Sequence, residues 1–465
     1  MSDAKDTVPI DDHAITTTLE RHRHADAALV REALAKAREM NGLGPEEMAA
    51  LMTISDPDLL GELFAAARDV KDTIYGRRLV LFAPLYVSNM CGNECTYCAF
   101  RARNTDLVRR ALTQEEIAQE TKILIRQGHK RVLVVAGESY PHEGFSYVLK
   151  AIDTVYSVTE GHGEIRRINA NVAPLTLDEF RQLKAAKIGT YQVFQETYHR
   201  PTYANVHVAG KKKDFDWRVT AMDRAMQAGI DDVGIGVLFG LFDWRYELLA
   251  LMQHIRHLEA RFGVGPHTIS VPRMEPASGS DVASQPPHPV SDIDFRKIVA
   301  ILRLAVPYTG IIMSTRESAH IRRETFALGV SQISAGSRTN PGGYADEEHF
   351  EAAQFSLGDH RALDEVIRDV AGLGYIPSFC TGCYRLGRTG KDFMDLAKPG
   401  DIKAHCDPNA LSTFTEYLID YASPETRAVG DALVERVLES MEPGPRQTAT
   451  SMVTRVRAGK RDVLC

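Results

Sequence analysis

LVLFAPLYVSNMCGNECTYCAF, residues 79–100, opens as an apolar run and closes on three cysteines within eight positions. The run reads as a strand, and Cys91, Cys95 and Cys98 follow where it ends. Clustered thiolates are soft ligands that select zinc or an iron–sulfur cluster. A structural zinc site usually closes on four ligands, often as C-x2-C pairs. Here the spacing is C-x3-C-x2-C, with no fourth cysteine or histidine close by in sequence. Three thiolates on a cubane leave one iron without a protein ligand, open to a small molecule.

Outward from this stretch the texture repeats. Further short apolar runs lie at 131–139, 165–174, 191–197, 232–240, 267–276, 310–318 and 331–339. Amphipathic helical patterns such as TQEEIAQETKILIRQG (113–128) and LTLDEFRQLKAAKIG (175–189) fill the gaps. Eight strand–helix alternations predict an α/β fold, a parallel (β/α)8 TIM barrel over 79–345. A doubly wound open sheet is the competing architecture. It normally carries a glycine-rich phosphate turn after its first strand, where this chain has cysteines. Residues 1–78 read as an N-terminal helical extension, from ADAALVREALAKAREM (25–40), GLGPEEMAALM (42–52) and DLLGELFAAARDV (58–70). Residues 346–465 read as a mostly helical C-terminal domain. It comprises a helix in 358–377, a glycine-rich cysteine segment, a helix over 423–442 and an irregular stretch over 444–465.

The chain has 465 residues, 44% hydrophobic and 25% charged, an ordinary globular balance. No apolar run reaches the length of a membrane span, and the acidic, polar N-terminus does not resemble a signal peptide. A cytoplasmic location is the expectation. A formal charge of −7 argues against nucleic acid as a partner. The sharpest basic run, KKKD at 211–214, reads as a solvated loop. Seven cysteines, an odd number in such a chain, favour metal or redox chemistry over a disulfide framework.

The first triplet, with aromatic Tyr97 before its last cysteine, resembles the radical S-adenosylmethionine superfamily, and the resemblance covers the whole predicted barrel. It implies a 4Fe-4S cluster on Cys91, Cys95 and Cys98 that binds S-adenosylmethionine and, when reduced, cleaves it to a 5′-deoxyadenosyl radical. AGE at 136–138 resembles the family's Gly-Gly-Glu motif, with Ala136 in place of the first glycine. Backbone groups of Ala136 and Gly137 would then hold the cofactor's amino group, assisted by Glu138. Asn169 and Asn171, then Gln195 and Glu196, are polar groups inside apolar runs and resemble contacts to the cofactor's ribose and amino acid parts. Each alone is equally readable as a satisfied barrel polar group.

STRES (314–318) and QETYHRPTY (195–203) resemble the aromatic amino acid lyases of this superfamily, which cleave tyrosine or tryptophan. The planar fork of Arg316 suits a carboxylate, and in the resembling enzymes the matching arginine holds that of the substrate. A structural ion pair is the plainer reading of an arginine at a strand end. Ser334 and Ser337 are candidate helpers after the eighth strand.

Cys380, Cys383 and Cys406 form a second triplet, C-x2-C-x22-C. C-x2-C is also a zinc half-site, and His405 adjoins Cys406, although two adjacent residues have difficulty ligating one tetrahedral ion. Added to the lyase-like barrel, the spacing resembles the FeFe-hydrogenase maturase family. That resemblance implies L-tyrosine as substrate, cleaved at Cα–Cβ to p-cresol and dehydroglycine. A second, auxiliary 4Fe-4S cluster with an extra iron would then yield carbon monoxide and cyanide. Other hydrogenase maturation proteins and an electron donor are the implied partners. A 2-iminoacetate synthase for thiazole biosynthesis, which lacks the second triplet, is one alternative. A non-catalytic iron–sulfur scaffold or carrier is another. His267 starts the sixth strand, and six residues at about 3.3 Å put it roughly 20 Å from Arg273, at the mouth opposite the cofactor. There the resemblance gives it the extra iron; a histidine capping a strand is the alternative.

Overall fold

Arg78–Ser88 forms β1, eleven residues long and buried along nearly its whole length. In the computed structural model, which describes residues 8, 10–24, 26–140, 143–346 and 352–465, seven further parallel strands follow it. They are β2 (Arg131–Ala136), β3 (Arg167–Asn171), β4 (Thr190–Gln192), β5 (Asp232–Gly236), β6 (Thr268–Ser270), β7 (Gly310–Met313) and β8 (Val330–Ser334). β8 returns to β1 in the register Val80↔Gln332 and Phe82↔Ser334, so the sheet closes into an eight-stranded barrel. Every strand named in the sequence reading is present, and all but β1 have a shorter hydrogen-bonded core than their apolar run.

The excess length of β1 carries the topology. Its distal half pairs with β2 from Ala83↔Val132 onward. Its first residues pair with a ninth parallel strand, β9 (Ile376–Ser378), in the register Arg78↔Ile376. The C-terminal region is therefore joined to the barrel through sheet hydrogen bonds at one mouth.

Helices between the strands start where the sequence supplies caps. Thr113 with Glu116, and Thr176 with Glu179, form capping boxes on Gln114–Arg126 and Leu177–Ala185. Trp244–Phe262 stops at Gly263, whose φ of 74° lies in the left-handed region that glycine adopts without a Cβ penalty. The N-terminal helices Asp12–Arg21, Ala27–Arg38, Pro45–Met52 and Pro57–Tyr75 pack on the outer helices of the barrel's later units. Lys297 ties the two layers together, donating to the Met52 carbonyl (2.8 Å) and the Ile54 carbonyl (2.9 Å).

Beyond β9 the chain is helical, with Lys403–Asp420 at its centre. Glu416 on that helix forms an ion pair with Lys130 at 2.7 Å and accepts from Arg166 at 2.7 Å, and all three side chains are buried. The stretch expected to be irregular contains a helix, Pro443–Arg457. Proline begins it, and Ala449, Met452, Val453 and Val456 form a buried face of helical period against Lys403–Asp420. The many Thr, Gln and Arg residues obscured that period. None of the described helices is long and apolar enough to cross a membrane.

Candidate active site and second cysteine site

β1 ends at Ser88, and the cysteine loop leaves it pinned on both sides. Asn89 donates from its side chain to the Val108 carbonyl (2.8 Å) and accepts from the Arg110 amide (2.8 Å). Glu94–Cys95 forms a short antiparallel ribbon with His207–Ala209, pairing Cys95 with His207. The Cys98 amide closes a turn onto the Cys95 carbonyl at 3.1 Å. All three cysteines thereby line a cavity of about 200 Å³ at the barrel's C-terminal face, where such barrels carry their active sites.

Tyr97, Ala136, Gly137, Glu138, Asn171, Glu196, Arg316 and Ser334 line the same cavity. The structure thus brings together most of the residues singled out in the sequence. Asn169, Gln195 and Ser337 lie outside it. Asn169 accepts from the Thr190 amide at 3.1 Å, a bond between strands, while Gln195 and Ser337 are buried. Gly137 is required by close approach: a Cβ there would meet the Met90 carbonyl oxygen at 2.3 Å. Tyr97 points its hydroxyl at His207 Nε2, 2.8 Å away.

Two cations that sequence reasoning missed complete the wall. Arg218 Nη1 binds Glu138 Oε1 at 2.8 Å, and Lys212 Nζ binds Glu196 Oε1 at 2.6 Å. Asn93 donates to Glu138 Oε2 at 2.8 Å. Burial opposes the Glu138 carboxylate, but Arg218 and Lys212 outweigh it and hold its pKa below the usual range. Glu196 has φ +73°, sparsely populated by residues with a Cβ, and its carbonyl accepts from the Leu238 amide at 2.9 Å. Lys212 belongs to the basic run read as a solvated loop. Its two flanking lysines are exposed, and only Lys212 turns inward.

Arg316 has the opposite character. Its guanidinium carbon lies 3.2 Å from the Phe355 ring centroid, and it has no acidic partner in ion-pair range among the described residues. Burial lowers its pKa, with Tyr86, Glu196 and Glu275 acting in the other direction. A guanidinium facing the cavity with no carboxylate in ion-pair range among the described residues is poised to accept one from a ligand.

A smaller cavity, about 60 Å³, lies at the other mouth and is lined by Cys380, Cys383, Cys406, His267, Arg78 and Arg131, among others. β9 delivers Cys380 two residues after its end, and the Gly382 amide donates to Cys380 Sγ at 3.3 Å. The neighbouring Cys383, together with Arg78, lowers the Cys406 pKa despite burial, while Cys383 is pushed up. His267 Nδ1 lies 3.6 Å from Asp232 Oδ1, and burial lowers the imidazole's pKa. Val80 lines this cavity, whereas Phe82, Pro84 and Tyr86 of the same strand line the larger one. The two sites therefore share one barrel interior.

The thiol donors of both cysteine sets are of the soft type that holds an iron–sulfur group, though among the described residues no three potential ligands are gathered as for a single metal ion. In the first, burial raises the Cys95 and Cys98 thiols, Cys98 to about 11, with neighbouring cysteines adding to the effect. A metal's positive charge would reverse that and hold them as thiolates. In the second, one thiol of the set is already favoured as thiolate beside Arg78.

Residues 85–252 match the model of the radical SAM superfamily, and residues 270–376 match the biotin and thiamin synthesis associated domain. The 2-iminoacetate synthase of Escherichia coli (strain K12) is 32% identical over 360 residues, covering 77% of this chain and 92% of the relative. The chain belongs to the radical SAM superfamily and is a carbon–carbon lyase of that class, a family that uses S-adenosylmethionine and a 4Fe-4S cluster. Within it, the chain belongs with HydG, the FeFe-hydrogenase maturase. A crystal structure of HydG superposes with TM-score 0.95 at 47% identity, covering 98% of this chain and 99% of that one. HydG from Carboxydothermus hydrogenoformans gives 0.83 and 42%, covering 95% and 98%.

Proposed function

We propose that this protein cleaves L-tyrosine at the Cα–Cβ bond to p-cresol and dehydroglycine, and that dehydroglycine then yields carbon monoxide and cyanide at the second cysteine site. The observation that carries the reading is Arg316, a half-buried guanidinium with no acidic partner in ion-pair range among the described residues, in the cavity lined by Cys91, Cys95 and Cys98.

Cys91, Cys95 and Cys98 would hold the 4Fe-4S cluster, and Cys380, Cys383 and Cys406 the auxiliary one. With S-adenosylmethionine bound, the first group would supply a 5′-deoxyadenosyl radical able to take hydrogen from the substrate amine. The protein's part is positioning. Arg316 grips the substrate carboxylate through its planar fork. Glu138, held ionised by Arg218, attracts the cofactor's amino group, and Gly137 lets that backbone approach the cysteine loop. Asn171 and Glu196 face the remaining cofactor, and Ser334 lies across the cavity from them. The shared interior offers dehydroglycine a route away from solvent. His267, kept neutral by burial, would bind the extra iron, the cargo that leaves with its diatomic ligands.

This reading divides the chain into a helical extension (1–78), the barrel (79–345) and an auxiliary cluster domain (346–465). Free clustered thiols suit a reducing, cytoplasmic compartment. The hydrogenase maturation proteins would be its partners. Anaerobic reconstitution with S-adenosylmethionine, dithionite and tyrosine should release p-cresol. Loaded clusters without p-cresol would favour a scaffold, and p-cresol without carbon monoxide a 2-iminoacetate synthase.

A further inference from the structure

Glu196, at φ +73°, sits inside a parallel pairing with the chain that continues β5. The amide before it, that of Gln195, donates to the Gly236 carbonyl at 3.1 Å. A residue with a Cβ keeps such a backbone only where its surroundings over-determine it. The next two residues show what does so. Thr197 and Tyr198 are fully buried, and both are gripped by the helix Trp244–Phe262. The Thr197 hydroxyl donates to Glu247 Oε1, and the Tyr198 amide donates to Glu247 Oε2 at 2.8 Å. Thr197 Oγ1 in turn accepts from the His199 amide at 3.2 Å. Seven residues on, along the same helix face, His254 Nδ1 meets the Tyr198 hydroxyl at 2.7 Å.

Glu247 is an expensive residue to place there. It is 1% exposed and has no cation in ion-pair range among the described residues. Burial pushes its pKa up to about 8, against the Thr197 hydroxyl and the Tyr198 amide. A buried acid without a counter-ion costs stability that an apolar side chain would not. Neither Glu247 nor Thr197 lines the cysteine cavity, so Glu247 cannot touch a ligand there. What its two oxygens hold is the backbone directly after Glu196, whose carboxylate does line the cavity and binds Lys212.

We propose that Glu247 is a positioning residue of the cofactor site. By clamping Thr197 and Tyr198 from the outer helix, it maintains the strained turn at Glu196 and so fixes the Glu196 carboxylate, with Lys212, in the cavity wall. The inference rests on the reading of that cavity as the S-adenosylmethionine site, which the experiment tests in a separate arm.

The test uses the full chain, reconstituted anaerobically, and reads S-adenosylmethionine binding by calorimetry beside 5′-deoxyadenosine formation. Glu247→Ala should weaken binding per loaded cluster by roughly tenfold, with a matching rise in the Michaelis constant. At saturating cofactor, kcat should stay within about threefold of the parent. Glu247→Gln keeps an oxygen that accepts from the Tyr198 amide, and should restore binding to within about twofold. Glu196→Gln should itself weaken binding, and adding Glu247→Ala to it should cost less than about twofold more, because the two residues act as one unit. If Glu247→Ala fails to fold, Thr197→Val removes one arm of the clamp and should show the same non-additivity at roughly threefold. Unchanged binding in Glu247→Ala would overturn the proposal, as would fully additive losses with Glu196→Gln. A Glu247→Gln variant as weak as Glu247→Ala would assign the effect to charge and overturn the clamp. A parent protein with its first cluster loaded that binds no S-adenosylmethionine would instead refute the cofactor-site reading.

Discussion

Asp232 Oδ1 stands 3.6 Å from His267 Nδ1, across adjacent strands β5 and β6 at the barrel's N-terminal mouth. A carboxylate beside Nδ1 favours the proton on that nitrogen and leaves Nε2 with its lone pair free. His267→Ala should therefore keep p-cresol formation and both cubanes while losing the extra iron. Asp232→Asn removes a charge 3.6 Å from Nδ1 that makes no hydrogen bond to it, and should weaken retention of that iron less than His267→Ala does. Iron analysis and infrared carbonyl bands check both, and full iron with normal carbonyl bands in His267→Ala would leave the histidine structural.

Arg316→Lys retains charge but loses the fork. Tyrosine binding should weaken by about 1–3 kcal/mol, the range for a charge-assisted hydrogen bond. Steady-state p-cresol release as a function of tyrosine concentration reads this directly. An unchanged Michaelis constant with normal cluster content would assign the side chain to the scaffold.

The two cysteine sets occupy separate cavities, so their losses should separate. Cys406→Ala is expected to retain cofactor cleavage and p-cresol while carbon monoxide release collapses. Cys95→Ala should abolish both. Equal loss of p-cresol in the two variants would contradict the division.

Glu416 joins the C-terminal helix Lys403–Asp420 to the barrel through Lys130 and Arg166. Burial opposes its carboxylate, but Arg166 and Lys130 lower its pKa to about 2. A depressed carboxylate pKa gives stability present above the unfolded value, near 4.5, and lost as pH falls through the folded one. Glu416→Gln should cost about 3–5 kcal/mol at neutral pH, because it strands two buried cations. It should also flatten the loss of stability between those two pH values. Acid titrations followed by circular dichroism test this, and parallel curves for the two proteins would contradict it.

The barrel was legible because each strand is a short apolar run bounded by helical periodicity, and because Cys91, Cys95 and Cys98 mark the end of the first. Arg316 and His267 could be placed at opposite mouths from strand direction alone. Lys212 and Arg218 were not legible. Inward-turned cations in a polar stretch have the same local pattern as solvated ones, and only their pairing with Glu196 and Glu138 distinguishes them. β9 also went unseen: Ile376–Ser378 follows directly on a helix, and three residues are too few to show a period of two. Asn169 is the case in which both readings stood open in the sequence: its side-chain oxygen accepts from the backbone of the neighbouring strand.

The pairing of β9 with the start of β1 has a consequence for biosynthesis. These partners lie about 300 residues apart in the chain, a non-local contact formed late because its loop must close first. The eight-stranded ring can zip shut once β8 has left the ribosome, at Ser334, while the helices that stopper its lower mouth are still being made. During translation the barrel thus passes through a stage in which its floor is open and Arg78, Arg131 and His267 meet solvent. The nascent enzyme is a vessel finished from the top down, and its lower chamber stays reachable until the last of the three cysteines that line it, Cys406, arrives.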